Sequence, residues 1–324
     1  MKPNLFLTRK LPQPAMDRIH ELFDAEVNPY DRVLTKKEVL EGIKGKDALL
    51  CLLTDPIDKE IISVEPNLKV ISNYAVGYNN IDVPEATALG IPVCYTPGVL
   101  TETTADLAWA LILAVARKIV PSDLYTRQHQ FKGWGPELFL GNDVHGKTLG
   151  IVGMGRIGMA TARRAAGFNM KVLYTKRREA VDDKELPGAE KVELQDLLIR
   201  ADFVSIHIPF NPETKHLVGE RELRLMKSSS YLINTARGPI VDEDALVKAL
   251  EQKTIAGAGL DVYENEPEIH PGLIALDNVV LLPHTGSATL ETRGQMGIMA
   301  AENAHAVVVG KKPHAIINPQ TLKQ

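Results

Sequence analysis

The segment LGIVGMGRIGMATARRAAGF, residues 149–168, decides the fold. A short apolar run leads into Gly153, Gly155 and Gly158, which have GxGxxG spacing and open a helix-like stretch. In such a turn the first glycine permits a tight bend, the second lets the backbone approach a pyrophosphate, and the third lets the helix pack on the strand. The N–H groups at the start of the helix then face the phosphates. The segment therefore predicts a dinucleotide-binding site.

Short apolar runs alternate with helix-like segments on both sides of this motif. The predicted strands before it are at 4–8, 48–53, 68–75 and 91–96. The predicted strands from the motif onward are at 149–153, 171–175, 202–208, 231–235, 258–262 and 279–283. Runs of this length separated by helices are typical of βα units and parallel sheets.

The two series predict an α/β fold with two Rossmann-like parallel-sheet domains. Residues 1–99 together with 286–324 are expected to form a flavodoxin-like substrate-binding, or catalytic, domain. Residues 100–285 are expected to form a doubly wound NAD(P)-binding Rossmann domain, because six strands with helices between most of them complete that architecture.

The composition is that of an ordinary globular protein: of 324 residues, 44% are hydrophobic and 24% charged. The net charge of −4 argues against a nucleic-acid partner. Cys51 and Cys94 lie in apolar runs and are expected in the core, and no Cys/His cluster predicts a metal site. The longest wholly apolar run, 107–116, is too short to span a membrane, so a cytoplasmic location is the default expectation.

A helix predicted over 101–119 has almost no polar face, since only Asp106 is polar between Ala105 and Ala116. A helix that is apolar all round must be covered on several sides. We therefore expect it between the two domains or in a subunit interface; the alternative is an ordinary core helix.

The end of the second strand of the cofactor domain bears on which dinucleotide binds. NAD enzymes usually carry Asp or Glu here to bind the ribose 2′-hydroxyl, whereas this chain has Thr175 followed by Lys176, Arg177 and Arg178. Three cations and no carboxylate suit a 2′-phosphate. The sequence therefore predicts NADP(H) in preference to NAD(H), the alternative being a solvated charge run.

Three ionisable residues follow three successive strands of this domain, where ligands bind in open α/β sheets: Arg237, Glu266 and His284. A guanidinium holds the carboxylate of a 2-keto acid bidentately. An imidazole titrates near working pH and suits the proton donor for the carbonyl oxygen. Glu266 would bind the far nitrogen of His284, fixing its tautomer and favouring its protonated form.

Two further residues at strand ends carry less certain assignments. Asp261 could accept a hydrogen bond from the nicotinamide carboxamide, or it could be a structural cap on the next loop. His207 is interpreted as lining the cofactor pocket rather than as an acid–base group.

These residues and motifs resemble the D-isomer-specific 2-hydroxyacid dehydrogenase family over nearly the whole chain. The similar blocks are NYAVGYNNIDV (73–83), LTETTADLAWALIL (100–113), GKTLGIVGMGRIG (146–158), HIPFNPETKHLV (207–218), INTARGPIVDEDAL (233–246), GLDVYENEP (259–267) and LLPHTGSAT (281–289). Within the family the chain looks most like glyoxylate and hydroxypyruvate reductases, including the related 2-ketogluconate reductases.

The resemblance implies catalytic roles for Arg237, Glu266 and His284, and substrate carboxylate binding by the backbone of Val76 and Gly77 with Arg237 and His284. It also suggests a homodimer built around the helix near 105–117. The expected cofactor-binding residues include the three glycines, the 175–178 segment, His207, Arg237, Asp261 and His284. They also include Thr104, Arg156, Ile157, Pro209, Thr214, Thr235, Ala236 and Gly286.

The reaction implied is NADPH-dependent reduction of glyoxylate, hydroxypyruvate or 2-ketogluconate to the D-2-hydroxy acid, with His284 as general acid. One alternative is a short NAD-linked enzyme of the same family that acts on D-3-phosphoglycerate or D-lactate. A more distant alternative is a non-catalytic dinucleotide-sensing protein, because transcriptional corepressors share this fold.

Overall fold

The computed structural model describes residues 1–177, 186 and 188–322. The chain divides into two compact units, one formed by Met1–Leu100 with Ser287–Gln324 and the other by Thr101–Gly286. Each unit is built on its own parallel sheet, as the alternation of strands and helices predicted.

The first unit contains a five-stranded parallel sheet of strand order β2-β1-β3-β4-β5, which is the flavodoxin-like order. Its elements before residue 100 are β1 (Asn4–Leu7), α1 (Gln13–Leu22), β2 (Asp24–Val27), α2 (Lys36–Gly42), β3 (Ala48–Leu52), α3 (Lys59–Val64), β4 (Val70–Tyr74), α4 (Val83–Ala88) and β5 (Val93–Cys94). Cys51 and Cys94 are both fully buried in this core, as expected.

The second unit contains a seven-stranded parallel sheet. Its elements are α5 (Thr101–Ala116), α6 (Ile119–Arg127), β6 (Thr148–Val152), α7 (Arg156–Arg164), β7 (Lys171–Thr175), β8 (Glu190–Lys191), α8 (Leu194–Arg200), β9 (Phe203–Ile206), α9 (Glu220–Leu225), β10 (Tyr231–Asn234), α10 (Glu243–Glu251), β11 (Gly257–Leu260), α11 (Pro271–Ile274) and β12 (Val279–Leu281). Short 3-10 turns span Ala165–Phe168 and Gly238–Ile240.

The strand order of this sheet is β12-β11-β10-β9-β6-β7-β8. It is the doubly wound Rossmann order extended by one strand. The chain adds strands outward in one direction from β6 to β8, then returns to the other side of β6 and adds β9 to β12 in the opposite direction. Register aligns the last residues of the strands: Val152 pairs with both Thr175 and Ile206, and Asn234 pairs with Leu260. The loops that follow these strands therefore emerge along one edge of the sheet.

The first unit is completed by a long helix from the end of the chain, α12 (Leu290–Val308), which is followed by a short 3-10 turn at Pro319–Thr321. This helix packs on α1, β3 and β4, and its Met296, Ala300 and Ala304 are buried in the core of the unit. The Ser72 hydroxyl of β4 donates a 2.8 Å hydrogen bond to the Ala300 carbonyl. The small alanine side chains let the helix lie close to the sheet.

Several helices begin where the sequence offers a capping side chain. A side-chain oxygen accepts a hydrogen bond from a backbone N–H of the first turn at Thr35, Asp58, Asp82, Asp242 and Thr289. Two edge strands, β2 and β8, escaped the sequence prediction because they are short and charged, and the exposed Glu190–Lys191 pair has no buried face to leave a hydrophobic pattern.

The apolar helix α5 packs within its own unit, on β10, β11, β12 and α7. Its Trp109 indole donates a 2.9 Å hydrogen bond to the Thr161 carbonyl and stacks on Phe168 with the ring centroids 4.5 Å apart. These contacts show that α5 packs on its own sheet, as a core helix does; that it also lies in a subunit interface stays a prediction. The predicted helix also ends earlier than residue 119, because Lys118 adopts a left-handed backbone (φ +51°) that separates α5 from α6.

Over the described residues, no helix has the length and apolar content that crossing a membrane requires.

Candidate active site

The glycine-rich turn follows β6 and has the geometry that its spacing predicted. Gly153 has φ +100°, a left-handed conformation that favours glycine, and a Cβ there would lie 2.9 Å from the His207 carbonyl oxygen. A Cβ on Gly158 would lie 2.2 Å from the carbonyl oxygen of Gly153, so only glycine lets α7 approach the turn this closely. A Cβ on Gly155 would meet nothing within 4 Å.

The start of α7 is available to an anion. Gly155 is the N-cap residue, and no side chain of the described residues caps the helix. Gly155 and Arg156 are exposed, whereas Ile157 is partly buried. Unsatisfied N–H groups and the positive end of the helix dipole attract phosphate at such a position. The open space beside Gly155 leaves room for the diphosphate of a dinucleotide.

Beyond β10, Thr235 offers a second observation that fits a bound dinucleotide. Its hydroxyl is buried, yet it has no hydrogen-bond partner in the part of the chain that the structure describes. A buried polar atom without a partner is costly. Thr235 and the adjacent Ala236 lie at the same sheet edge as the glycine turn, so this orphaned hydroxyl fits a bound dinucleotide.

At the end of β7, Thr175 holds the glycine turn: its hydroxyl accepts a 3.2 Å hydrogen bond from Gly153 N–H, and its carbonyl accepts from Met154 N–H at 3.0 Å. Arg177 is exposed and forms a 2.5 Å ion pair with Glu213 from the loop after β9. Lys176 follows Thr175 directly, and Arg178 lies outside the described residues. Sequence reasoning did not anticipate that Glu213 would accompany the cations.

His207 follows β9 and is neutral. Burial of the imidazole lowers its pKa to about 3, and its Nε2 lies 2.8 Å from the Ser205 hydroxyl. A group with so low a pKa does not exchange protons near neutrality, which agrees with interpreting it as part of the pocket wall. In the loop that follows, the Thr214 hydroxyl donates a 3.0 Å hydrogen bond to the carbonyl of Pro209, an exposed residue, and fixes the turn.

The structure brings Glu266 and His284 together. His284 Nδ1 lies 2.8 Å from Glu266 Oε2, and both side chains are about one-third exposed or less. Burial opposes ionisation of Glu266, but the hydrogen bond and charge of His284, with Tyr263 N–H and the charge of Arg237, outweigh it and lower the pKa of the carboxyl. Glu266 is therefore an acceptor, so the Nδ1 atom of His284 carries the hydrogen of this pair. The proton that can be exchanged is then the one on Nε2.

Asp261 fixes the loop that carries His284. Its two carboxylate oxygens accept hydrogen bonds from Thr285 N–H at 2.7 Å and Gly286 N–H at 2.8 Å, while its backbone carbonyl accepts from His284 N–H at 3.0 Å. These bonds support His284 in a left-handed conformation (φ +54°) that is unfavourable for a residue with a Cβ. Thr104 of α5 adds a 3.1 Å hydrogen bond from its hydroxyl to the Gly286 carbonyl.

Asp261 therefore has the structural capping function that the sequence left open. Burial raises the pKa of its carboxyl, although the three hydrogen bonds from residues 285 and 286 oppose that rise. Whether Asp261 also meets a carboxamide stays a prediction.

Arg237 follows β10, which pairs with β11, so its loop lies beside the one that carries Glu266. Burial lowers the pKa of the guanidinium, and the Glu266 carboxylate opposes that shift. The backbone around Arg237 is held by Asn234, whose side-chain amide donates to the Arg237 carbonyl at 3.0 Å and accepts from Ala236 N–H at 3.0 Å. Asn234 is a positioning residue that sequence reasoning missed, because a buried Asn in a strand reads only as an interruption.

The predicted substrate loop lies in the first unit, after β4. The Asn73 side chain donates to the Gly77 carbonyl at 2.9 Å and to Asn80 Oδ1 at 3.1 Å. The Asn80 amide in turn donates to the carbonyls of Leu52 and Asp55, at 3.0 and 3.1 Å. Val76 and Gly77 are thus held by two asparagines that the sequence analysis did not single out.

Among residues 1–177, 186 and 188–322, no group of three or more His, Cys, Asp or Glu side chains is placed to hold a metal ion. The ionisable groups that meet at the edge of the second sheet are those of Arg237, Glu266 and His284, with Asp261 behind them. The arrangement offers a fixed cation, a proton donor with its carboxylate, and an anion-binding helix start within one unit.

The sequence of the chain is similar to those of known proteins. Residues 109–286 match the family model for the NAD binding domain of D-isomer specific 2-hydroxyacid dehydrogenases. The chain is 51% identical over 328 residues to a glyoxylate reductase of Korarchaeum cryptofilum, covering 100% of this chain and 98% of that protein.

Two solved structures extend the comparison. A glyoxylate reductase from Paecilomyes thermophila superposes with a TM-score of 0.87 at 33% identity, covering 98% of this chain and 99% of that one. An NADPH-dependent glyoxylate/hydroxypyruvate reductase from Sinorhizobium meliloti, in complex with NADP and malonate, superposes with a TM-score of 0.85 at 29% identity, covering 100% and 99%.

Proposed function

Because the chain belongs to the D-isomer specific 2-hydroxyacid dehydrogenase family, and is therefore an oxidoreductase acting on CH–OH donors that reduces 2-keto acids, we propose that it reduces glyoxylate with NADPH. Hydroxypyruvate and 2-ketogluconate are proposed as further substrates. The products are glycolate and, from the larger keto acids, D-2-hydroxy acids.

The observation that carries the proposal is the 2.8 Å contact between His284 Nδ1 and Glu266 Oε2. With Nδ1–H bound to the carboxylate, the Nε2–H of the imidazolium protonates the carbonyl oxygen of the keto acid. When bound, the dihydronicotinamide supplies the hydride to C2. Glu266 stabilises the imidazolium before transfer and keeps the ring in one orientation afterwards.

Arg237 is proposed to hold the substrate carboxylate, since a guanidinium stays charged and offers two parallel donors. The backbone of Val76 and Gly77 is proposed to bind the same carboxylate. Support for this second assignment is the rigidity of the loop, which the side chain of Asn73 fixes at the Gly77 carbonyl.

The preference for NADPH is supported by the side chains at the end of β7. Thr175 has no carboxylate to repel a 2′-phosphate, and Lys176 and Arg177 follow it directly. The diphosphate is assigned to the start of α7 at Gly155, and Thr235 is assigned to the cofactor because of its orphaned hydroxyl.

Steady-state rates with glyoxylate, hydroxypyruvate, 2-ketogluconate and 3-phosphohydroxypyruvate, each with NADPH and with NADH, test the proposal. We expect glyoxylate to be reduced and kcat/KM to be higher with NADPH. Exclusive use of 3-phosphohydroxypyruvate would refute the substrate assignment, and a preference for NADH would refute the cofactor assignment.

A K176A/R177A double variant tests whether these two cations cause the preference for NADPH. Removing two phosphate-binding cations is expected to lower kcat/KM for NADPH while leaving the value for NADH nearly unchanged. Arg221→Ala, which removes an exposed arginine from α9, is the matched control and should change neither value.

A homodimer is proposed as the assembly. Helix α6 has no buried residue, and large apolar side chains lie exposed on it and in the loop that follows: Ile119, Leu124, Phe131, Trp134 and Leu140. Trp134 is 85% exposed. Exposed apolar side chains concentrated in one segment mark an interaction surface, and a second copy of the chain would bury them.

Sedimentation velocity tests the assembly. Wild-type protein is expected at twice the 35.6 kDa chain mass, and L124E/L140E at the mass of one chain, because buried unpaired carboxylates are costly. Leu89→Glu places the same charge on a comparably exposed leucine of the first unit and should leave the dimer intact. A monomeric wild type would contradict the proposal.

A further inference from the structure

His216 lies in the block 207–218, but the proposed reaction assigns it no task. Its backbone is left-handed (φ +49°), and its N–H donates a 2.8 Å hydrogen bond to the Pro239 carbonyl. Two residues later, Val218 N–H donates to the Ile240 carbonyl at 3.1 Å. The loop after β9 is thereby joined to the short turn that directly follows Arg237.

The side chain of His216 reaches a third loop. Its Nε2 lies 2.7 Å from Glu264 Oε1, and its Nδ1 lies 3.8 Å from Asp242 Oδ2. Glu264 is only two residues from Glu266, which spans at most about 7 Å of backbone. A displacement of Glu264 is therefore passed on to the carboxylate that holds His284.

Other hydrogen bonds also hold the segment from Tyr263 to Glu266. Glu264 N–H donates to the buried Glu243 carboxylate at 2.8 Å, and Tyr263 N–H donates to Glu266 Oε1 at 3.1 Å. The turn after Arg237 lies directly against this loop, since a Cβ on Gly238 would lie 1.8 Å from the carbonyl carbon of Tyr263. The loops after β9, β10 and β11 thus form one contact group.

Charge makes His216 important to this group. The carboxylates of Asp242 and Glu264 lie beside its imidazole, which donates to Glu264, and the Glu243 carboxyl lies against the Glu264 backbone N–H. Without it, Glu264 loses a short hydrogen bond while the like charges of its neighbours remain. Repulsion would then push Glu264, and the backbone leading to Glu266, away from its present position.

We propose that His216 is a positioning residue: its hydrogen bond to Glu264 clasps the loops that carry Thr214, Arg237 and Glu266 together and sets the position of Glu266 behind His284. Catalytic groups need placement to within about 0.5 Å, and the diphosphate is assigned to the start of α7 outside the clasp, so a loosened clasp acts on turnover more than on cofactor binding. This inference rests on the proposed reductase function.

The test compares His216→Ala with His216→Gln, whose amide can still donate to Glu264, and with Glu264→Ala. We expect kcat for glyoxylate with NADPH to fall about 10- to 100-fold in both alanine variants, the range for residues behind a catalytic shell. The Kd for NADPH, measured by fluorescence, should change less than about twofold, and His216→Gln should recover most of kcat. H216A/E264A should be no slower than the worse single variant, since both remove one interaction.

His270→Ala is the matched control. It removes an imidazole that also binds a carboxylate, since His270 Nε2 lies 3.0 Å from Asp244 Oδ1. Among the described contacts that pair forms no hydrogen bond or ion pair with the Arg237 turn or with Glu264 and Glu266, and it reaches Glu243 only through its charge. Its kcat should be close to that of wild type. Equal losses in His216→Ala and His270→Ala, or unchanged kcat in His216→Ala, would overturn the clasp.

Hydrogen exchange separates this inference from the reaction itself. In His216→Ala the amides of Tyr263 and Glu264 should exchange faster than in wild type, while the amides of β6 should not change. If wild type binds NADPH but reduces no keto acid, the proposed function fails, and the exchange rates still decide the clasp. Unchanged exchange at both amides would reject it.

Discussion

Replacing His284 with alanine is expected to lower kcat for keto-acid reduction by roughly 10²- to 10⁴-fold, the contribution typical of a positioned general acid. The variant keeps the glycine turn and α7, where the diphosphate is assigned, so its Kd for NADPH should change far less than kcat. Stopped-flow oxidation of NADPH at saturating glyoxylate, with fluorescence titration of NADPH, measures both quantities.

His284→Asn is the better matched variant. Asparagine tolerates the left-handed backbone that His284 adopts and can donate to Glu266, but it has no proton to give to the substrate. We expect it to be as inactive as the alanine variant, with a thermal midpoint nearer to that of wild type. Near-full activity in either variant would remove His284 from the mechanism.

The acid limb of the wild-type pH profile follows from Glu266. Its folded-state pKa is lowered, so the carboxylate is the main form above the pKa of an unfolded glutamate, about 4.3, and is lost only as pH falls through the lowered value. Protonation of Glu266 should therefore not limit reduction above about pH 4.3. In Glu266→Gln the negative charge that stabilises the His284 imidazolium is absent at every pH.

Replacing Arg237 with glutamine is expected to give the second large effect, through substrate binding. Truncating one member of a desolvated charge pair costs about 2–5 kcal/mol, which corresponds to roughly 30-fold to several thousand-fold in kcat/KM. Most of the loss should appear as a higher KM for glyoxylate, because the guanidinium binds the carboxylate before and during reduction. Initial rates over a wide glyoxylate range measure it.

Arg237→Lys separates the effect of the positive charge from the effect of the hydrogen-bonding geometry. Lysine keeps the positive charge but not the two parallel donors, so it should recover only part of kcat/KM. Because the charge of Arg237 also lowers the pKa of Glu266, the glutamine variant should need a higher pH for Glu266 to ionise. A KM within about twofold of wild type in Arg237→Gln would argue that another group holds the carboxylate.

The sequence was sufficient where a pattern reflects a steric demand. Gly153 and Gly158 occupy positions where a Cβ would collide with backbone, so their spacing alone predicted the turn and the helix start. The strands that precede Arg237, Glu266 and His284 are mostly apolar, which made their ends visible. Parallel pairing of those strands then placed the three loops at one edge.

Other features depend on distances that no local pattern encodes. The partnership of Arg177 with Glu213 joins residues 36 apart in the chain, and the Asp261 bonds to residues 285 and 286 join two loops. Whether α5 packs on its own sheet or elsewhere could not be predicted, since an apolar helix suits any apolar neighbour. The charged edge strand β8 lacked the hydrophobic signal on which strand prediction depends.

Helix α12 has a consequence for biosynthesis. The second unit is a single continuous segment, 101–286, but the core of the first unit includes the helix Leu290–Val308 from the far end of the chain. During translation the strands of the first unit emerge before the second unit, yet the apolar face that receives Met296 and Ala300 stays uncovered until Leu290–Val308 has been made. The 101–286 unit therefore has all its own residues before the first unit can complete its core.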